Sequence, residues 1–185
     1  PLTLFLHGAG ERGNDGAKQA TVGLGNAIRA NPERWPTIAI FPQVPVNQSW
    51  QGNAGKMAMK ALDEAVKEFS VNQAKVYLTG LSLGGNGTWF LGYKHEDRFA
   101  AMVPVCGFVQ LDNRLPSFTK PSDSGPYSDV ASKIRDVPVW IFHGDADRVV
   151  TVEESRKMAS ALKNINADVR YSELAGVRHN AWIAA

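Results

Sequence analysis

Short apolar runs recur along the chain, separated by segments of helical period or by polar loops. Leu2-Thr3-Leu4-Phe5-Leu6 is apolar nearly throughout, the pattern of a strand buried on both faces. Similar runs at residues 37–41, 75–79, 99–105, 137–142 and 169–174 predict five more strands, the second stopped by Pro42. Residues 56–69 carry the clearest helical period. Ala58, Ala61, Leu62, Ala65, Val66 and Phe69 share one face, and Lys60, Asp63, Glu64, Lys67 and Glu68 fill the rest. Residues 152–165 repeat the pattern, with Met158, Leu162 and Ile165 inward. A weaker helical stretch ends near Ala30, closed by Asn31-Pro32, another spans residues 88–93, and Trp182-Ile183 opens a last one. Residues 42–54 read as a long loop and residues 107–130, with their prolines and serines, as a surface excursion. Trp140 falls inside a strand and Trp89 inside a helix, which predicts core packing for both.

Strands alternating with helices give an α/β class with a mostly parallel central sheet and helices on both faces. No repeat or linker divides the chain, so residues 1–185 read as a single domain. In such sheets ligands bind at the carboxyl ends of the strands. The positions to inspect are therefore His7 to Gly10, Gln43, Ser82, Cys106-Gly107, His143 to Asp147 and Gly176 to His179.

Composition narrows the function. A formal charge of +2, with basic residues scattered, gives no basis for a nucleic-acid or anionic-membrane partner. No apolar run reaches bilayer length and no signal peptide is visible. The chain opens at Pro1, as a fragment or processed form would, so secreted and cytoplasmic locations both stay open. Oligomeric state is not encoded in any feature of the pattern. The single cysteine, Cys106, reads as a small buried residue. The four histidines show no i, i+4 pairing and no cysteine partners, so neither a metal nor a cofactor is expected.

Gly80-Leu81-Ser82-Leu83-Gly84 sits between a predicted strand and a predicted helix, the place of a nucleophile elbow. Such a motif arises by chance in roughly one chain in twenty of this length at ordinary glycine usage, so its context has to decide. Gly8-Ala9-Gly10-Glu11-Arg12-Gly13 also matches a dinucleotide fingerprint, but Asn14-Asp15-Gly16 continues the loop where a helix should begin, and Phe41-Pro42-Gln43 stands where an acidic residue should. The loop suits another task, aiming a backbone N–H at an oxyanion. A serine needs a base, and the base an orienting acid. In hydrolase sheets the chain order is serine, acid, histidine. Ser82, then Asp145 or Asp147, then His179 supply that order at three strand ends. His7 and His143 lie outside it and read as structural.

These segments together resemble an α/β-hydrolase serine esterase of the carboxylesterase, dienelactone-hydrolase-like and feruloyl or polyhydroxybutyrate-esterase group. They are residues 4–13, Gly80 to Gly85, Phe142 to Val150 and Gly176 to His179. The resemblance implies Asp147 as the acid, with Asp145 bracing the turn. It implies an oxyanion hole of two backbone N–H groups, that of Leu83 after the nucleophile and that of Ala9 or Gly10 in the first loop. It also implies antiparallel strands before residues 2–6 and a full helix after His179, both of which read as missing or cut short in this stretch. Trp50, Gln51 and Gln43 are candidate substrate contacts at the catalytic edge, Trp50 being equally a loop anchor. The expected activity is hydrolysis of short-chain or aryl esters, such as acetyl or feruloyl groups on a small molecule or a polymer, in an open cleft. A serine peptidase or acyltransferase on the same triad, and a non-catalytic binding module, are the alternatives.

Overall fold

The computed structural model describes residues 1–111 and 115–184. Six strands form one sheet: β1 Leu2–Leu6, β2 Ile38–Ile40, β3 Val76–Leu81, β4 Ala101–Val105, β5 Val139–Gly144 and β6 Val169–Leu174. Their spatial order is β2-β1-β3-β4-β5-β6 and every pairing is parallel. Each parallel step needs a crossover, which the helices supply: α1 Leu24–Ala30, α2 Asn53–Glu68, α3 Leu83–Lys94, α4 Gly125–Lys133 and α5 Glu153–Asn164. The ladder between β4 and β5 is interrupted between Met102 and Val105. Pro104 sits in that gap and has no N–H to donate.

The two faces of the sheet are covered unequally. On one, Leu2, Leu4, Leu6, Leu78, Met102 and Ile141 pack with Leu62 of α2, Trp89 of α3, Ala131 of α4 and Met158 of α5 into the main core. On the other, Phe5, Leu81, Val105 and Phe142 meet Leu24 of α1 and Ala181 in a smaller cluster. The remainder of that face, with Thr3, Tyr77, Val103 and Trp140, lines an open apolar groove of about 510 Å³ that also touches Trp35 and Trp182. Trp140 is 41% exposed there, so the expected core position is corrected. A strand's side chains alternate in direction, and this one points at the thinly covered face. Phe69, expected inward, is also exposed: α2 ends at Glu68 and Phe69 leaves in extended backbone.

Three further elements differ from the sequence pattern. α3 starts at Leu83, five residues before the periodicity becomes visible, because its first turns are glycine-rich and buried on nearly every side. α4 extends through residues read as excursion, and Phe108 and Val109 before it are buried. Residues 112–114 of that stretch lie outside the described residues. Phe118 packs on Phe90 and Tyr93 toward the far end of α3, while Gly107 and Phe108, at the start of the stretch, lie against Gly85 and Asn86 of its first turn. Among the described residues no helix is long and apolar enough to cross a membrane.

The site is positioned by one close approach. A Cβ on Gly84 would collide with the Leu6 carbonyl oxygen, so only glycine lets the first turn of α3 lie on the backbone of β1. Gly84→Ala is expected to lower stability by about 3 kcal/mol, the upper end for overpacking. Gly10→Ala, where a Cβ meets nothing within 4 Å, serves as the control in the same chemical melts. Equal midpoints for the two variants would contradict this account.

Candidate active site

Ser82 occupies the joint between β3 and α3 with φ 55° and ψ −115°. A non-glycine residue in that region costs about 1–3 kcal/mol and persists only where its surroundings enforce it. Here the Ser82 N–H donates to the Val105 carbonyl (2.9 Å), and the Ser82 carbonyl accepts from Asn86 N–H (3.0 Å). The hydroxyl is thereby fixed at the carboxyl end of the sheet, above the N-terminus of α3.

His179 arrives in the loop after β6. Its Nε2 lies 2.8 Å from Ser82 Oγ, and its Nδ1 lies 2.7 Å from Asp147 Oδ2. The carboxylate can only accept, so Nδ1 carries the proton and Nε2 is free to accept from the serine hydroxyl. Asp147 is fully buried and its other oxygen accepts from the N–H groups of Val149 (2.8 Å) and Val150 (3.0 Å). The imidazole keeps 21% exposure and stands edge-on to Trp182, ring centroids 5.6 Å apart. Asp145 does something else. Its Oδ1 accepts from Gly176 N–H at 2.7 Å, tying the loop after β5 to the loop that carries His179. Ala146 N–H to the Val177 carbonyl adds a second tie.

The first loop runs beside the serine, since a Cβ on Gly8 would lie 3.6 Å from Ser82 Cβ. His7 fixes that loop. It donates from Nδ1 to the Gly8 carbonyl (2.6 Å) and accepts at Nε2 from Val44 N–H (2.9 Å). Ala9 opens the short 3-10 turn after Gly8, and Leu83 opens α3. Among the described residues neither N–H meets a hydrogen-bond acceptor within the protein.

Residues 30–181 match the model of the dienelactone hydrolase family. The chain belongs to this family. It is similar to a solved thermostable esterase at 32% identity and a TM-score of 0.85, covering 100% of this chain and 51% of that one. It is 30% identical over 95 residues to an acyl-protein thioesterase 1 homolog of Dictyostelium discoideum, covering 51% of this chain and 37% of the relative. A bifunctional acetylxylan esterase/xylanase of Neocallimastix patriciarum is 25% identical over 166 residues, covering 83% of this chain and 20% of the relative. The chain thus spans about half of the thermostable esterase and between a fifth and two-fifths of the other two.

Within this dienelactone hydrolase family domain, the candidate substrate contacts are occupied elsewhere. Trp50 is completely buried. Its indole N–H donates to the His7 carbonyl (3.1 Å), and a Cβ on Gly87 would strike its ring. It is a loop anchor, because an indole this enclosed presents no face to a ligand. Gln43 braces the first loop, donating to the Glu11 carbonyl and Asp15 and accepting from Gly16 N–H. Gln51 is half-buried and donates to Asn86 Oδ1 (3.1 Å), while Asn86 donates to the Phe108 carbonyl.

Two features escaped the sequence. Cys106 Sγ lies with donor atoms of Asp147 and His179 in a set within 4.8 Å of one another. Burial pushes its thiol pKa up, and both nitrogens of His179 are already bonded, so Cys106 is a neutral wall beneath the pair. The second is His143, fully buried, whose Nε2 lies 3.2 Å from Asp147 Oδ2. The sequence marked it as a structural residue at a strand end, without showing its contact with Asp147.

Burial holds the pKa of both His7 and His143 below the ordinary 6.5. Their unfolded-state values are higher, so the unfolded chain takes up more protons as pH falls through 6.5. Stability from these two neutral rings is full above that pH and is lost on acidification toward the folded-state values. Thermal melts are expected to drop between pH 6.5 and 5, by up to about 1.4 kcal/mol per pH unit for each histidine. A flat profile over that range would contradict the neutral assignment.

Proposed function

We propose that this chain is a serine carboxylesterase whose acyl-enzyme forms on Ser82. One observation carries the reading: the unbroken hydrogen-bonded chain from Ser82 through His179 to a buried, fully bonded Asp147. In the first half-reaction His179 Nε2 takes the Ser82 proton as Oγ attacks the ester carbonyl. The oxyanion is held by the N–H groups of Leu83 and Ala9, each such donor typically contributing roughly 3–4 kcal/mol to barrier lowering. The imidazolium, stabilised by Asp147, returns its proton to the departing alkoxide. Water then enters, loses a proton to the same nitrogen and releases the acid, restoring Ser82.

Ser82 stays partly exposed, which favours a substrate that needs no enclosed acyl tunnel. Phe118, in the later part of the connection between β4 and α4, packs at the far end of α3, and the apolar groove does not include Ser82, His179 or Asp147 in its lining. We assign the site to short-chain or aryl esters, including acetyl or feruloyl groups borne on a polymer. Similarity to an esterase and to an acetylxylan esterase/xylanase favours this assignment.

A fluorophosphonate is expected to label Ser82, with turnover of p-nitrophenyl acetate well above that of its amide analogue and of a long-chain emulsified ester. Ser82→Ala should lose turnover by about four orders of magnitude with its melt unchanged. Failure of the folded protein to label would sink the reading. Asp147→Asn should cost about 10⁴-fold in kcat and Asp145→Asn much less. The reverse ranking would move the acid to Asp145.

A further inference from the structure

His143 has no place in the proton transfers above, yet both of its ring nitrogens are bonded. On β5 it is fully buried, beside the acid it precedes by four residues. Its Nε2 lies 3.0 Å from the Val150 carbonyl and 3.2 Å from Asp147 Oδ2. Both neighbours are acceptors only, so Nε2 must carry a proton. Its Nδ1 lies 2.7 Å from Ser155 Oγ, on the first turns of α5, and Ser155 is itself buried. The serine hydroxyl donates to Nδ1, which fixes the neutral Nε2–H tautomer. Val150, whose carbonyl receives that proton, gives its own N–H to Asp147 Oδ1.

We infer that His143 is a positioning residue for Asp147: it anchors the Val150 peptide that binds one carboxylate oxygen and presents an N–H edge to the other, the oxygen that receives His179. This rests on the esterase reading above. The carboxylate is then oriented from both oxygens, and the orientation is referred back through Ser155 to the rigid helix α5. The other charged group opposite His143 is Glu173 on β6, and it is bonded to Arg156 and Tyr171, held well below the usual carboxylate range by those partners. Glu173 therefore does not compete for the His143 proton. His179 reaches His143 only through the oxygen they share.

Removing the N–H edge leaves Asp147 Oδ2 with more charge for His179. The imidazolium is then favoured, and the acid limb of the rate profile moves to higher pH. For His143→Leu we expect kcat on p-nitrophenyl acetate to fall about tenfold to a hundredfold, the range known for outer partners of metal-bound histidines. KM should change less than about twofold, and the acid limb should rise by about 0.5–1 pH unit, the effect of one hydrogen bond. His143→Gln, whose amide N–H reaches toward the same carbonyl, should restore most of the rate and the wild-type limb. Ser82→Ala is assayed in parallel. If it turns over ester, the esterase reading fails and this inference with it. If it is inactive while folded His143→Leu keeps wild-type kcat and limb, the inference alone is overturned. Should His143→Leu not fold, ¹⁵N NMR of the wild-type imidazoles at pH 7.5 decides. A protonated Nε2 with bare Nδ1 on His143 supports the inference, and the opposite tautomer or a cation overturns it.

Discussion

The first turn of α3 lies directly on the backbone of β1, with no side chain between Gly84 and the Leu6 carbonyl. Everything at the carboxyl edge follows from that contact. It sets how sharply the chain must turn between β3 and α3, and so forces Ser82 into a backbone conformation that side chains rarely adopt. The same contact brings the loop after β1 alongside the serine. A methyl group at Gly84 would push the helix off the strand. The strain at Ser82 is sustained by the central strands on either side, paired to β3 in continuous ladders, β1 being buried throughout.

The alternating strand and helix patterns were enough to read the sheet, its parallel sense and the edge at which to look. All six strands fall where the strand patterns lie: β1 is continuous in hydrophobicity because it is buried on both faces, whereas the edge strand β6, Val169-Arg170-Tyr171-Ser172-Glu173-Leu174, mixes apolar and polar residues. α2 and α5 were legible because each has one wet face. α3 was half hidden for the opposite reason: it is enclosed on all sides and rich in glycine, so neither periodicity nor propensity marks its start. α4 was hidden by the prolines and serines ahead of it. Of the site, Ser82 and His179 could be placed from chain order alone. Choosing Asp147 over Asp145 required a family resemblance, because both are acidic residues in one turn and only three dimensions distinguish the one that faces His179 from the one that accepts from Gly176. Trp50 shows the limit most plainly. A tryptophan in a polar loop reads equally as a ligand contact or as an anchor, and only long-range packing against His7 and Gly87, which buries it entirely, decides between them.

Two neighbouring carboxylates thus divide two tasks. Asp147 meets the ring that reaches the serine, two N–H groups of the turn that holds it, and the N–H edge of His143. Asp145 fastens the loop bearing that ring. The separation is economical in sequence and strict in geometry, since exchanging the tasks would require the turn after β5 to rotate by two residues. His7 and His143 repeat the arrangement among histidines, each neutral and each with both nitrogens bonded, His7 within strand-end loops and His143 between the turn after β5 and Ser155 of α5.

The strand order carries a consequence for how the domain fails. Ser82 is carried by β3, in the interior of the sheet, whereas His179 is delivered by β6, an edge strand paired on one side only. Edge segments open at lower free energy than the interior of a sheet. Fraying at β6 withdraws the imidazole while Ser82 and its strained turn stay folded. Heat or denaturant should therefore silence this protein by local detachment of one strand, well before the cooperative collapse of the core that a global probe would register.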